Sequence, residues 1–189
     1  MTLQSSKTTH TSEKPQRTVL VVGAGPVGLA ITLRLALAGI VVDVVEKESR
    51  VDEEPRAVAY YASALNTMNK MGVIPDMEKV GSVSEGFCWR KPIHADELTK
   101  LLFKKATATG LVTVHFEETL INIEQNVLGV GGTTRRGDAE IVFQASYLVG
   151  ADSGQSATRK LLGIPLRGHS WPEKLISIDF LFEDPNLDT

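Results

Sequence analysis

The amino-acid sequence predicts an α/β fold, and three observations predict it. Thr18 to Lys47 sets a glycine-rich turn between two β-branched runs. A second strand-turn-helix crossing follows in Tyr147 to Ile164, with an acidic residue at its turn. Between the two lie helical patterns and a series of short strands separated by turn residues, so helices and strands alternate along one chain.

The first strand is the run Val19 to Val22. Pro26 to Ala38 is long and almost wholly apolar, the pattern of a buried helix, and Val41 to Val45 returns as a second strand. Each glycine of the turn has a physical task. Gly23 permits the tight exit from the strand, Gly25 leaves out a side chain where backbone must approach a pyrophosphate, and Gly28 allows close packing of the helix on the sheet. Ala24 and Pro26 fill the turn, and the helix start directs free N–H groups and the positive end of its dipole at the phosphates. Glu46 follows Gly28 by 18 residues, near the spacing of about 20 expected of a ribose-binding acid. Its carboxylate repels a 2′-phosphate, which argues against NADP in this site and leaves FAD or NAD; Lys47 beside it completes the expected contacts.

Bulk properties narrow the class. The 189 residues suffice for one domain, or for one domain and part of another. With 20 basic and 23 acidic side chains the net charge is −3, which gives no electrostatic case for nucleic acid or an anionic membrane. The longest apolar stretch is broken by Thr32 and Arg34, so no membrane span is expected. Residues 1–17 are polar and read as a disordered leader without a secretory h-region. Cys88 is the only cysteine, which excludes an internal disulfide and fits a reducing, cytoplasmic setting; between Phe87 and Trp89 it reads as a small buried hydrophobe. His10, His94, His115 and His169 have no metal-ligand spacing, and no metal is expected.

Further along, Asp52, Glu53 and Glu54 belong to a solvated loop. A helix runs from about Tyr60 to Gly72, and a short strand is expected at Phe87 to Arg90 before Pro92. Asp96 to Thr109 is a third helix with Leu98, Leu101, Leu102 and Ala106 on one face. Strands are then expected at Val112 to Phe116, Thr119 to Gln125, Val127 to Thr133 and Ala139 to Gln144, an inserted antiparallel β-meander over about 112–144. Its turns are Gln125-Asn126 and Arg135-Arg136-Gly137-Asp138, the arginines forming a solvated tip. Ser156 caps the helix that ends at Gly163, and a last strand is expected at Ile176 to Phe182.

Two segments together resemble the flavin-dependent aromatic hydroxylases, single-component FAD monooxygenases with the para-hydroxybenzoate hydroxylase fold. The first is VLVVGAGPVGLAITLRLALAGIVVDVVEK followed by PRAVAYYASALNTMNKMGV; the second, LVGADSGQSATRKLLGI, looks like that family's DG motif. LRGHSWPEKLISIDF resembles the entry into the substrate domain of fungal members acting on phenolic metabolites. The resemblance implies a Rossmann-like FAD-binding domain over 18–168 and the start of a substrate domain at 169–189, incomplete because family members are at least twice as long. It implies FAD as cofactor, NAD(P)H as co-substrate and a small aromatic substrate. It places Arg56 against the FAD and Asp152 near the pyrophosphate, with Ser156 and Arg159 holding the turn. Tyr60, Tyr61, Trp89 and Trp171 are expected to pack rather than react.

Three departures from the family pattern stand out. Ser153 occupies the glycine position of the DG motif, where a positive φ would cost about 1 kcal/mol or more unless Gly154 takes over the turn. Ala95 stands where relatives carry Arg or Gln that reaches the flavin. No GDAAH-like segment, which in the family binds the flavin ring, occurs in the chain. The sequence therefore implies an FAD-dependent monooxygenase of secondary metabolism, or a portion of one, that holds the ADP end of the cofactor. The alternative is a catalytically incompetent FAD-fold protein, or a subunit completed by a second polypeptide. The DG-like segment argues against a third class, a simple NAD reductase.

Overall fold

The computed structural model describes residues 18–51, 62–80, 95–169 and 172–173. In chain order the elements are β1 (Thr18–Val22), α1 (Pro26–Leu37), β2 (Val41–Val45), α2 (Ala62–Lys70), α3 (Ile74–Val80), α4 (Ala95–Thr107), β3 (Val112–His115), β4 (Thr119–Asn126), β5 (Gly129–Arg136), β6 (Ala139–Ala145), β7 (Tyr147–Gly150) and α5 (Ala157–Leu161). Strands β3-β2-β1-β7 form a parallel sheet, and β4-β5-β6 form a separate antiparallel one.

The period-two alternation of β1 dictates three layers. Val19 and Val21 face one way with Val42 and Val44 of β2, against Leu29 and Leu33 of α1, Leu98 and Leu102 of α4, and Met68, Met71 and Met77 of the two shorter helices. Leu20, Val22 and Val45 face the other way, against Leu120 of the meander, with Ile123, Phe143 and Leu148 beside it. A strand covered on both faces reads as a continuous β-branched and aliphatic run, which is what TVLVV and VVDVV are. Leu20, Val21, Val42 and Val44 are fully buried, each worth about 1.5–3 kcal/mol relative to exposure. Gly132 lets the meander approach closely: a Cβ there would lie 2.6 Å from a methyl of Leu20.

The structure departs from the sequence-based expectations at several places. β3 pairs in parallel with β2, Val42 opposite Val112, so the meander begins at Thr119 rather than near 112. The reason is topological: a strand that follows helix α4 returns parallel to β2, and four residues of VTVH carry no signal that separates the two sheets. Val127 and Leu128 form the β4–β5 hairpin tip rather than opening a strand; Leu128 N–H donates to the Asn126 side chain at 2.8 Å, and both aliphatic side chains are exposed. Helix α3 was not expected, because seven residues beginning Ile-Pro are too few to show a period. Helix α1 buries Leu29, Thr32, Leu33 and Ala36 but leaves Val27 and Leu37 more than half exposed, so it is covered on one side rather than all round. Expectations for residues 1–17, Arg56, Tyr60, Tyr61, Cys88, Trp89 and Trp171, and for the strands at 87–90 and 176–182, lie outside the described residues.

Arg136 is also not the freely solvated side chain the hairpin position suggests. Its Nη2 donates to the Phe116 carbonyl at 2.7 Å, and its Nε lies 3.1 Å from Glu118, whose side chain is fully buried. Thr134 donates its hydroxyl to the other Glu118 oxygen at 2.5 Å. Glu118 in turn donates its N–H to the Glu46 carbonyl at 2.9 Å, so this network ties the meander to the end of β2.

Candidate functional site

The site lies at the carboxyl ends of three neighbouring parallel strands. The chain leaves β1 toward β2 on one side, whereas β7 lies on the other. Between β1 and β7 the strand order reverses, and open α/β sheets bind ligands in the crevice outside such a reversal.

The glycine turn is built by contacts that leave no room for side chains at two of its three glycines. Gly23 has φ +105°, and a Cβ on it would lie 2.5 Å from the Ala151 carbonyl oxygen and 3.2 Å from Asp152 Cα. A Cβ on Gly28 would lie 1.9 Å from the Gly23 carbonyl oxygen, so Gly28 admits the turn itself as well as close packing. Gly25 is the exception: nothing among the described residues lies within 4 Å of its Cβ position. That open space sits at the start of α1, where Gly25 is the N-cap and Pro26 the first helical residue. The first intrahelical bond is Leu29 N–H to the Gly25 carbonyl at 2.9 Å. The Val27 and Gly28 amides precede it and have no carbonyl one turn back to accept from them. Pro26 has no N–H to leave unsatisfied.

Glu46 closes the second side. Its Oε2 accepts the Ala24 N–H at 2.7 Å and its Oε1 accepts the Glu48 N–H at 3.0 Å. The carboxylate thus pins the glycine turn to the end of β2 while each oxygen keeps a lone pair for a further donor. Lys47 points outward and pairs with Glu48 at 3.3 Å.

Asp152 forms the third side. β7 aligns with β1, Gly150 opposite Val22, and the Ala151 N–H donates to the Val22 carbonyl at 2.8 Å, which sets the two turns side by side. Asp152 Oδ1 accepts the Ser156 hydroxyl at 2.6 Å, and Oδ2 accepts the Thr158 N–H at 2.9 Å and its hydroxyl at 3.1 Å. Partial burial pushes the Asp152 carboxyl up, but bonds from Ser156, the Thr158 amide, its own amide and the Thr158 hydroxyl together hold it below the usual carboxylate range. Ser156 caps α5 by accepting the Arg159 N–H at 2.9 Å, and Arg159 Nη1 donates to the Ile164 carbonyl at 3.0 Å. Thr158, Glu48 and Glu118 went unnoticed in the sequence; only the i, i+6 spacing of Asp152 and Thr158 offered a signal.

Ser153 itself takes the left-handed conformation, φ +66°, whereas Gly154 is not among the positive-φ residues. The turn therefore does not shift onto Gly154. Arg56 lies outside the described residues, and for Ala95 only its place at the start of α4 is described. Among the described residues, two open cavities of about 390 and 550 Å³ lie around Ser146 at the amino end of β7, the opposite end of the strands from the glycine turn. Among the described residues no three His, Cys, Asp or Glu side chains gather to hold a metal ion, and no helix is long and apolar enough to cross a membrane.

A parallel sheet with a glycine turn, a carboxylate closing β2 and a helix N-terminus facing open space defines a Rossmann-like dinucleotide-binding domain. A family model described as FAD binding domain matches residues 16–189, and the chain belongs to that family. It is similar to 6-hydroxy-3-succinoylpyridine 3-monooxygenase of Pseudomonas putida, 26% identical over 196 residues that cover 89% of this chain and 49% of the relative. It is also similar to rifampicin monooxygenase of Streptomyces venezuelae, 31% identical over 168 residues, covering 79% of this chain and 34% of that one. Among solved structures, aklavinone-11 hydroxylase in a ternary complex with FAD and aklavinone aligns with a TM-score of 0.70 at 25% identity, over 80% of this chain and 36% of that chain. The flavin-dependent monooxygenase PieE, in complex with FAD and substrate, aligns with a TM-score of 0.74 over 84% of this chain and 34% of that one; at 20% identity it speaks for the fold alone. The chain spans about half the length of the first curated relative and about a third of the others cited.

Proposed function

We propose that this chain forms the ADP-holding portion of an FAD-dependent monooxygenase that hydroxylates a phenolic, aromatic or polyketide-type metabolite with NAD(P)H and O₂. The observation that carries this reading is the meeting of the glycine turn, Glu46 and the Asp152 turn at one rim of the sheet. The residues fit the group. The open space over Gly25 admits a diphosphate against the first free amides of α1. The spare lone pairs of Glu46 suit ribose hydroxyls, and its charge disfavours a 2′-phosphate. Gly23, Ala24, Gly25, Pro26 and Gly28 are assigned to the diphosphate, Glu46 and Lys47 to the ribose end, and Arg56 to the flavin side. Asp152, its carboxylate held by Ser156 and Thr158, stands beside the glycine turn and is assigned to the pyrophosphate side.

Bound FAD supplies the redox chemistry, accepting a hydride from NAD(P)H and activating O₂. The residues of this chain bind and orient its adenylate end. The names of the relatives support the substrate class: one is a monooxygenase of a hydroxylated pyridine, one of rifampicin. The single cysteine favours a reducing, cytoplasmic setting.

A second reading, a chain that needs a further polypeptide to react, is favoured by β7. Among the described residues this strand is a sheet edge, and Tyr147 on it, with Leu161 at the end of α5 and Leu162, Ile164 and Leu166 after it, is exposed. The purified 189-residue chain, examined for flavin absorbance near 450 nm and for NAD(P)H oxidation with phenolic substrates, separates the readings. We expect flavin uptake with little turnover. A chain that takes up no FAD overturns the cofactor assignment, and coupled hydroxylation by the chain alone overturns the second reading.

A further inference from the structure

Glu118 carries a full charge into a place where the meander needs none for its own pairing. It stands just before β4 with its side chain fully buried, and the register that sets Thr119 opposite Arg135 brings it to Arg136. Its Oε2 accepts the Thr134 hydroxyl. Its Oε1 lies 3.1 Å from Arg136 Nε but, among the described residues, accepts no hydrogen bond. An ion pair of this kind gains little against the cost of desolvating the carboxylate, so it is weak as a source of stability; the best-attested use of such pairs is to fix one geometry.

The geometry it fixes is that of the Glu46 loop. The Glu46 N–H donates to the His115 carbonyl at 2.8 Å, and the Glu46 carbonyl accepts the Glu118 N–H at 2.9 Å. Beside them the Glu117 N–H donates to the Glu48 carbonyl at 3.0 Å, and the Glu48 N–H holds Glu46 Oε1 at 3.0 Å. Residues 115–118 thus reach both the backbone and the carboxylate of Glu46. Arg136 grips that segment on either side of Glu117, whose φ is +60°, through the Phe116 carbonyl at 2.7 Å and the Glu118 carboxylate. Left-handed backbone persists where its surroundings enforce it, and Arg136 supplies that enforcement.

We propose that Arg136 and Glu118 are positioning residues for the ribose contact: through the Glu118 amide and the Glu117–Glu48 bond they hold the Glu46 carboxylate in the orientation that meets the ribose hydroxyls. This rests on the assignment of Glu46 to the ribose in the FAD reading above, and adds that the contact depends on side chains of the meander as well as on β2.

The test compares ADP with 2′,3′-dideoxy-ADP, which lacks both ribose hydroxyls, by titration calorimetry on the full chain. The ratio of the two affinities reads the Glu46 contact, because a loss of folded chain lowers both alike. Wild type is expected to favour ADP roughly tenfold or more, the scale of a hydrogen bond to a charged group. Arg136→Ala is expected to cut that preference to about threefold or less. If Arg136→Ala does not fold, Thr134→Val, which removes the hydroxyl on Oε2 and preserves the side-chain shape, carries the same expectation. Lys105→Ala breaks an ion pair with Asp76 at 2.7 Å on the α4 side of the sheet, and is expected to keep the preference whatever it costs in stability. The full preference in folded Arg136→Ala or Thr134→Val, or a reduced one in Lys105→Ala, overturns the inference while the FAD reading stands. Equal wild-type binding of the two nucleotides overturns the ribose assignment, and a wild-type chain that binds no ADP overturns the FAD reading itself.

Discussion

Adding one methyl group at Gly28 should cost both stability and nucleotide binding, and one at Gly25 binding alone, and the contrast follows from their surroundings. At Gly28 the new Cβ would lie 1.9 Å from the Gly23 carbonyl oxygen and 3.1 Å from its carbon. Relief requires the turn and α1 to separate by more than 1 Å, roughly the shortfall from ordinary contact. The turn is not free to yield: the Gly23 N–H is bonded to the Val45 carbonyl at 2.8 Å, and its other side faces the Ala151 carbonyl. Overpacking of this kind costs about 1–3 kcal/mol or more, against which alanine in a helix regains about 1 kcal/mol over glycine. We expect Gly28→Ala to lose a net ~1–2 kcal/mol, which lowers the unfolding temperature by about 2–8 °C, and to lose nucleotide binding with it. At Gly25 nothing among the described residues lies within 4 Å of the new Cβ, and φ is −72°, so Gly25→Ala should unfold at the wild-type temperature. It should nonetheless bind FAD at least tenfold more weakly, because the methyl occupies the approach to the helix amides. Differential scanning fluorimetry and flavin titration on the same preparations read both effects. Full flavin affinity in Gly25→Ala, or wild-type stability and affinity in Gly28→Ala, would refute the reasoning.

Two further predictions concern the charges behind the site. Asp152 has a depressed carboxyl pKa in the folded chain, so its contribution to stability is present above the unfolded value of about 3.9 and is lost as pH falls through the lower folded value. Asp152→Asn should therefore be less stable than wild type at pH 7 and converge with it in acid, and parallel unfolding curves at every pH would contradict the hydrogen-bonded turn. Arg136→Ala leaves the fully buried Glu118 carboxylate without its cation; with the guanidinium half exposed, we expect a loss of about 1–3 kcal/mol in denaturant unfolding. A neutral result would mean that the meander does not depend on this pair.

The parts of the fold that were legible in the sequence are those where one element carries its own signal. The β1-α1-β2 unit is legible because a buried parallel strand, a proline-initiated helix and a strand-ending acid each leave a separate mark, and the structure sets them at Thr18–Val22, Pro26–Leu37 and Val41–Val45. The partner of β3 was not legible, since strand pairing is a property of the crossover and not of the four residues in the strand. Helix α3 escaped for want of length. At the site, Glu46 was readable from its spacing, but its bond to the Ala24 amide was not, because that bond depends on how the turn folds back. Arg136 looked like a solvated loop residue because its partner, Glu118, is brought to it by the meander rather than by local spacing. Whether Ser153 or Gly154 takes the left-handed turn was open in the sequence for a related reason: Ser153 takes it, and Asp152 beside it is held by Ser156 and Thr158 through contacts that local spacing does not reveal.

The arrangement of the glycine turn and Glu46 leads us to expect that the chain grips FAD by its adenylate end. Titration of the purified chain with FAD, ADP and FMN tests it directly. FAD is expected to bind, ADP to displace it competitively, and FMN, which lacks the adenylate, to bind at least a hundredfold more weakly than FAD, about 2.7 kcal/mol or more. FMN binding as tight as FAD, or FAD binding that ADP cannot displace, would contradict it.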